Sequence, residues 1–375
     1  MFAADQRPVA PVRYVGMPLS ADIPAPVNTT TDRARRRICA AWTKDMDQSY
    51  ATCAARFVLA SRRPERDNSG HHAAHLSRLV DRYLWLSRVM RALRLALRAL
   101  SAVAPGVAAR VAARLWFAVP RPRIDDEART FLATGTRYDV NANGVRLTAW
   151  RWGNGRSGGG RPPVLLMHGW GGYGGQLSAF VEPLTRSGYQ VLAFDAASHG
   201  ESAPGSLGRR HATLFDFVDA LTAVSSDLLQ IAGVIAHSGG CAAAAWAKVT
   251  RPEWPVARMV FIAPFGSPAR YMAMFQRALG FSDAAMRSFR QNTERQFNFR
   301  WADFEVPEMA QRAAMPPLLV IHDRGDRETS WEDGAAIAER WPSATLQTTT
   351  GLGHNRILRD KATVDAAVGF IRSDI

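Results

Sequence analysis

The sequence predicts an α/β protein: a mostly parallel sheet with helices on both faces, preceded by a helical N-terminal extension. Three observations carry that expectation. From residue 136 onward, short apolar runs alternate with helical patterns, as in sheets built from βα units. Asn143-Gly144, a strong two-residue turn signal, separates two candidate strands at the start of that region. The apolar run Val234-Ile235-Ala236-His237 then leads straight into Ser238 and a helix of small residues, Cys241 to Trp246.

Along the chain, residues 1–75 hold Pro-rich and polar stretches and the cluster Arg33, Arg35, Arg36 and Arg37, so they are expected to be poorly ordered. Residues 76–130 read as a basic amphipathic helical arm. Leu76, Leu79, Val80, Tyr83, Leu84, Leu86, Val89, Leu93, Leu97 and Leu100 recur at helical spacing, with Arg78, Arg82, Arg88, Arg91, Arg94 and Arg98 largely on another side. Ala104-Pro105-Gly106 interrupts it, and a second helix runs from Val107 to Phe117 until Pro120 and Pro122 stop it. Met90, which opens MRALRLALRALSAVAPG, is a second candidate start. Two uses fit the arm: packing on the α/β domain or another subunit, or peripheral contact with an anionic membrane surface through residues 76–118.

A single α/β domain is expected over 136–375. Its strands are read at Thr136–Val140, Val145–Trp152, Pro163–His168, Val191–Asp195, Val234–His237, Arg258–Pro264, Leu318–Asp323 and Ala344–Thr349. Helices are read at about 176–187 and 214–231, with a final one ending near Ile371. Residues 267–312 lie where a helical cap would be inserted, with Met272, Phe275 and other large apolar residues at helical spacing.

Composition excludes several classes. Hydrophobic residues make up 47% and charged ones 21%, which is globular composition and not that of a disordered or fibrous chain. The net charge of +14 is uneven: residues 1–135 hold 22 Lys+Arg against 11 Asp+Glu, while residues 136–375 hold 25 against 22. That excess belongs to the extension, and no nucleic-acid motif accompanies it, so no nucleic-acid partner is expected. Cys39, Cys53 and Cys241 form neither a disulfide framework nor a metal-ligand spacing. MFAADQRPVAPVRYVG has no basic stretch followed by an apolar run, and arginines interrupt the apolar region from Leu76 to Pro120. A cytoplasmic protein, peripheral at most to a membrane, is the expectation.

The chemistry concentrates in three loops. Ala236-His237-Ser238-Gly239-Gly240 reads as a nucleophile elbow, a strand-to-helix turn too tight for large neighbours. His168-Gly169-Trp170-Gly171-Gly172 follows an earlier strand, where the backbone N–H groups of Trp170 and Gly239 could face a developing oxyanion. Two acids, Asp323 and Asp326, close the strand from Leu318, and His354 follows the last strand, in the order nucleophile, acid, base. Asp326 is the preferred acid because it stands beyond the strand end; Asp323 then braces the loop. His168 reads as structural. Trp170 and Tyr173 are expected at the mouth of a substrate pocket to which Met272 and Phe275 contribute apolar surface.

MHGWGG (167–172), AFDAASHGES (193–202), AHSGG (236–240), IHDRGD (321–326) and GLGHNRILRD (351–360) together resemble the α/β-hydrolase superfamily, in particular bacterial serine hydrolases of the esterase type. The resemblance covers residues from about 137 to 375. It implies the α/β-hydrolase fold, a Ser238–Asp326–His354 triad, oxyanion donors at Trp170 and Gly239, and cleavage of a small-molecule carboxylic ester or thioester with neither metal nor organic cofactor. The sequence departs from the family pattern at Ala236, where the elbow usually has Gly, and at Ala197-Ser198, where many relatives have Pro-Gly. The family pattern gives no counterpart for the N-terminal third, and the sequence fixes no oligomeric state.

Overall fold

The Asn143-Gly144 turn is where the sheet begins. Both residues take positive φ (52° and 84°), the geometry of a tight hairpin turn, and Asn141 caps it by accepting a hydrogen bond from the Gly144 N–H at 2.8 Å. In this computed structural model, residues 89–120, 124–153 and 161–373 are described. The chain divides into two compact units, of which residues 98–375 form the one that holds the sheet. The expectation of poor order over 1–75 and the first half of the predicted arm helix lie outside the described residues. Residues 89–97, within the other unit, are helical, as are residues 98–103.

Helix α1 (Pro105–Trp116) starts with Pro at its first turn and α2 (Asp126–Ala133) is capped by Asp125, which accepts from the Ala128 N–H. Then follow β1 (Thr136–Ala142), β2 (Val145–Trp152), β3 (Arg161–Met167), a 3-10 segment (Gly174–Phe180), α3 (Val181–Arg186), β4 (Tyr189–Phe194), α4 (Leu214–Val224), β5 (Gly233–His237) and α5 (Gly239–Thr250). The second half comprises β6 (Met259–Ile262), α6 (Pro268–Leu279), α7 (Asp283–Phe297), α8 (Val306–Met309), β7 (Leu318–Asp323), α9 (Trp331–Arg340), β8 (Ala344–Thr349), α10 (Gly353–Arg356) and α11 (Lys361–Arg372).

These strands form one eight-stranded sheet in the order β1-β2-β4-β3-β5-β6-β7-β8. β2 runs antiparallel to both β1 and β4, and all other pairs are parallel. Strands β5, β6 and β7 are buried along their whole length, as expected of parallel strands covered on both faces. Their carboxyl ends lie side by side, so the loops after β3, β5 and β7 gather at one edge. That edge is where ligands bind in open α/β sheets.

Several elements differ from the sequence reading. The helix expected over 176–187 breaks into a 3-10 segment and α3, because Leu177 leaves helical geometry. The helix expected to reach Ile231 ends at Val224, where the Ser225 hydroxyl turns back to the Leu221 carbonyl at 2.7 Å. Helix α2 went unread; its Phe131 stacks on Trp152 at 5.3 Å. The insertion of 267–312 is helical, formed by α6, α7, a 3-10 turn and α8. Helix α1 packs on α7. There Trp116 is fully buried, with ring centroids 5.2 Å from Phe275, 5.8 Å from Phe289 and 5.6 Å from Trp301. Trp116 is therefore part of the core formed by these helices.

Candidate active site

The elbow is built by strand β5 ending where helix α5 must begin at once. Ser238 takes φ 51° and ψ −119°, a region that non-glycine residues rarely enter. The surrounding backbone pins it: the Ser238 N–H donates to Ile262 O at 3.0 Å, and its carbonyl accepts from Cys241 N at 3.1 Å and Phe265 N at 3.2 Å. Small neighbours are required by contact distance. A Cβ on Gly240 would stand 2.6 Å from the His168 carbonyl oxygen, and one on Gly169 would stand 3.0 Å from the Ser238 Cβ. The loop after β3 therefore touches the serine directly. Ala236, in place of the usual glycine, is fully buried within β5 and distorts nothing in the elbow's hydrogen bonds.

The acid loop follows β7. Asp326 has no exposed side-chain surface. Its Oδ1 accepts from the N–H groups of Glu328 (2.8 Å) and Thr329 (3.0 Å), and its Oδ2 from the Thr329 hydroxyl (3.0 Å) and His354 Nδ1 (2.8 Å). His322 Nε2 lies 3.5 Å from the same Oδ2. Burial acts to raise this carboxyl's pKa, but the hydrogen bonds from His322 and His354 outweigh it and hold the group well below the usual carboxylate range. Asp323 has the other task. It accepts from Gly325 N, Leu352 N and the Thr349 hydroxyl, tying the acid loop to the strand end and to the loop that carries the base.

His354, buried in α10, is thus held through Nδ1 by Asp326. Its ring lies 4.5 Å from that of His237, the residue before Ser238, and His237 Nε2 donates to the His354 carbonyl at 3.1 Å. The structure brings Asp326 and His354 into direct contact and sets His354 beside the turn that carries Ser238. His237 is buried, which lowers its pKa well below the ordinary value and keeps it neutral. His168 is buried too, with its pKa pushed down to about 4; its Nε2 accepts from Ala196 N at 3.0 Å and its Nδ1 faces Gly169 O at 2.7 Å. It braces the loop.

Gly239 follows Ser238 directly, and Trp170 follows Gly169 in the loop after β3; neither backbone N–H has a hydrogen-bond acceptor among the described residues. The Trp170 indole, expected at the pocket mouth, is instead buried: it stacks on Phe217 at 5.7 Å and donates to Ala118 O at 3.0 Å. Tyr173 does line a cavity, of about 210 Å³, with Pro120, Ile124, Gly171, Gly172, His199 and Gly200. Pro120 comes from the segment before β1, so that segment contributes to the wall beside the loop after β3. Phe275 sits between Trp116 and Phe281 in the cap's core, and Met272 is buried on the same helix. A larger open groove, about 690 Å³, runs along the cap past Glu294, Arg295 and Arg300, but shares no residue with the acid, base or elbow. The smaller cavity is lined in part by Gly171 and Gly172, in the loop whose Gly169 packs against Ser238.

Sequence reading missed two partners, Thr329 and Glu328, and took His322 and His237 only as loop, capping or elbow-packing residues. The pattern offered one signal, a His four residues before the chosen acid. Among the described residues no group of three or more His, Cys, Asp or Glu could hold a metal ion.

A family model described as serine aminopeptidase, S33 (Hydrolase_4) matches residues 158–312. Over 111 residues the chain is 32% identical to the dihydrolipoyllysine-residue acetyltransferase component of an acetoin cleaving system from Cupriavidus necator, spanning 30% of this chain and 29% of that one. This chain thus spans about three tenths of the length of that curated relative. A crystal structure of a membrane phospholipase A, a bacterial virulence factor, is similar at a TM-score of 0.50 and 18% identity, covering 75% of this chain and 98% of the other. A serine hydrolase involved in carbazole degradation is similar at a TM-score of 0.47 and 19% identity, covering 63% and 98%. The fold is that of the α/β-hydrolases.

Proposed function

We propose that this protein is a serine hydrolase that cleaves carboxylic esters or thioesters through an acyl-enzyme on Ser238. Asp326 holds the imidazole in the tautomer that leaves Nε2 to accept. His354 takes the serine proton as the hydroxyl attacks the carbonyl carbon and gives it to the alcohol or thiol that departs as the ester C–O or thioester C–S bond breaks. It then takes a proton from the water that cleaves the acyl-enzyme, returning it to Ser238 as the acid leaves. The N–H groups of Trp170 and Gly239 receive the oxyanion; one such donor is worth about 3 kcal/mol of transition-state stabilisation. The observation that carries the reading is the 2.8 Å bond between a fully buried Asp326 and His354, beside a serine in strained elbow geometry. A panel of p-nitrophenyl esters of rising chain length, with acyl thioesters alongside, tests it. Turnover lost in Ser238→Ala supports the reading, and equal turnover by wild type and variant refutes it.

A second reading, a lipase-like enzyme working at a membrane surface, has one observation of its own. Val89, Met90, Leu93 and Leu95 are exposed on a helix that also carries Arg91 and Arg94. An apolar and basic helix suits an anionic bilayer surface. No helix among the described residues is long and apolar enough to cross a membrane. Sedimentation with anionic liposomes tests this: salt-sensitive binding supports it, and absence of binding at low salt removes it.

A further inference from the structure

A second carboxylate reaches the base from the opposite side to Asp326. Glu328 Oε2 stands 4.0 Å from His354 Nε2, while Asp326 holds Nδ1. Glu328 Oε1 accepts from Asn355 Nδ2 at 3.1 Å, and the Glu328 backbone N–H donates to Asp326 Oδ1 at 2.8 Å. Acid loop and base loop are therefore clasped twice in parallel, Asp326 to His354 and Glu328 to Asn355. The Glu328 side chain is 33% exposed, so it sits at the rim of the site. A charge there is partly screened by water but is not lost in it.

Nε2 is the ring atom that gains the proton in the hydrolase reading, on which this inference rests. An imidazolium formed there would have a carboxylate at each end. Other groups that face the ring include the Thr329 hydroxyl, 3.1 Å from Nδ1, and His237, 4.5 Å between ring centroids. His322 adds a further imidazole on the Asp326 carboxylate. None of these three is anionic, so Asp326 and Glu328 are the groups among them that stabilise a positive ring. An opposite charge within about 4–6 Å favours the charged form of its neighbour.

We propose that Glu328 is a positioning residue for the base: its carboxylate stabilises the protonated His354 at Nε2, and its bond to Asn355 fixes the loop that carries the ring. Proton NMR titration of the His354 imidazole, assigned by comparison with His354→Gln, tests this in wild type and Glu328→Gln. Glutamine keeps an oxygen for Asn355 and removes only the charge. The expected result is a fall of the His354 midpoint by about one pH unit, a tenfold loss of proton affinity. Glu328→Asp should show a smaller fall, and provides the same readout if the glutamine variant does not fold. An unchanged midpoint in a folded variant overturns the proposal. The titration does not depend on turnover, so failure of the hydrolase reading would appear separately, as ester cleavage that Ser238→Ala leaves intact.

Discussion

Replacing Asp326 by Asn removes one charge and one acceptor site from a fully buried, multiply bonded group. The carboxylate accepts four hydrogen bonds, two from backbone N–H, one from the Thr329 hydroxyl and one from His354 Nδ1, with His322 a further 3.5 Å neighbour. An amide places an NH2 where Oδ1 or Oδ2 now stands, so at least one bond becomes donor facing donor. Leaving buried partners of a charge unpaired costs about 3 kcal/mol or more. The sign with pH follows from the depressed pKa of the folded state. The stability that Asp326 contributes is present above the unfolded carboxyl's pKa and is lost as pH falls through the folded value. Denaturant unfolding should therefore show the variant less stable by about 3 kcal/mol at pH 7, with the gap closing below about pH 4. Activity should fall further, about 10³- to 10⁴-fold in kcat, because His354 then favours the wrong tautomer. A variant within 1 kcal/mol of wild type at pH 7 that also keeps its kcat would refute the reasoning.

Two more changes separate packing from chemistry. Alanine normally stabilises a helix relative to glycine by about 1 kcal/mol, but in Gly240→Ala the added methyl meets the His168 carbonyl at 2.6 Å, and overpacking costs about 1–3 kcal/mol; thermal unfolding should show a lower Tm, and a higher one contradicts the contact. His168 has its pKa pushed down from 6.5 to about 4 by burial, so its stabilising contribution is full above about pH 6.5 and is lost as pH falls to about 4. His168→Asn should lack that slope, about 3 kcal/mol across the window, in denaturant unfolding at pH 4.5 to 7; matching slopes in the two proteins count against it.

Much of this was legible because parallel strands advertise themselves. Val234 to His237 and Leu318 to Asp323 are continuous apolar runs since both faces of the sheet are covered, and each ends in a loop of small or charged residues that a buried strand could not contain. The choice of Asp326 over Asp323 needed only the distance from the strand end; the structure sets Asp326 against His354 and Asp323 against Leu352 N. What stayed hidden depended on contacts between distant segments. Phe275 has the helical spacing of a pocket residue, yet its place is fixed by Trp116, far away in the chain. Trp170 looked like a pocket-mouth residue until Ala118 supplied its acceptor. Glu328 is invisible as a neighbour of His354 because the acid and base loops meet only when β7 and β8 pair. Local patterns name the strands and the reacting groups, while tertiary contacts decide which apolar residues become wall and which become core.

The most direct measurement is labelling by a fluorophosphonate probe, which forms a covalent bond with an activated serine. Wild type should label at a single site, mapped by peptide mass spectrometry to Ser238, and Ser238→Ala should not label at all. Equal labelling of the two proteins, or attachment at another residue, would contradict the assignment of the nucleophile and the account built on it.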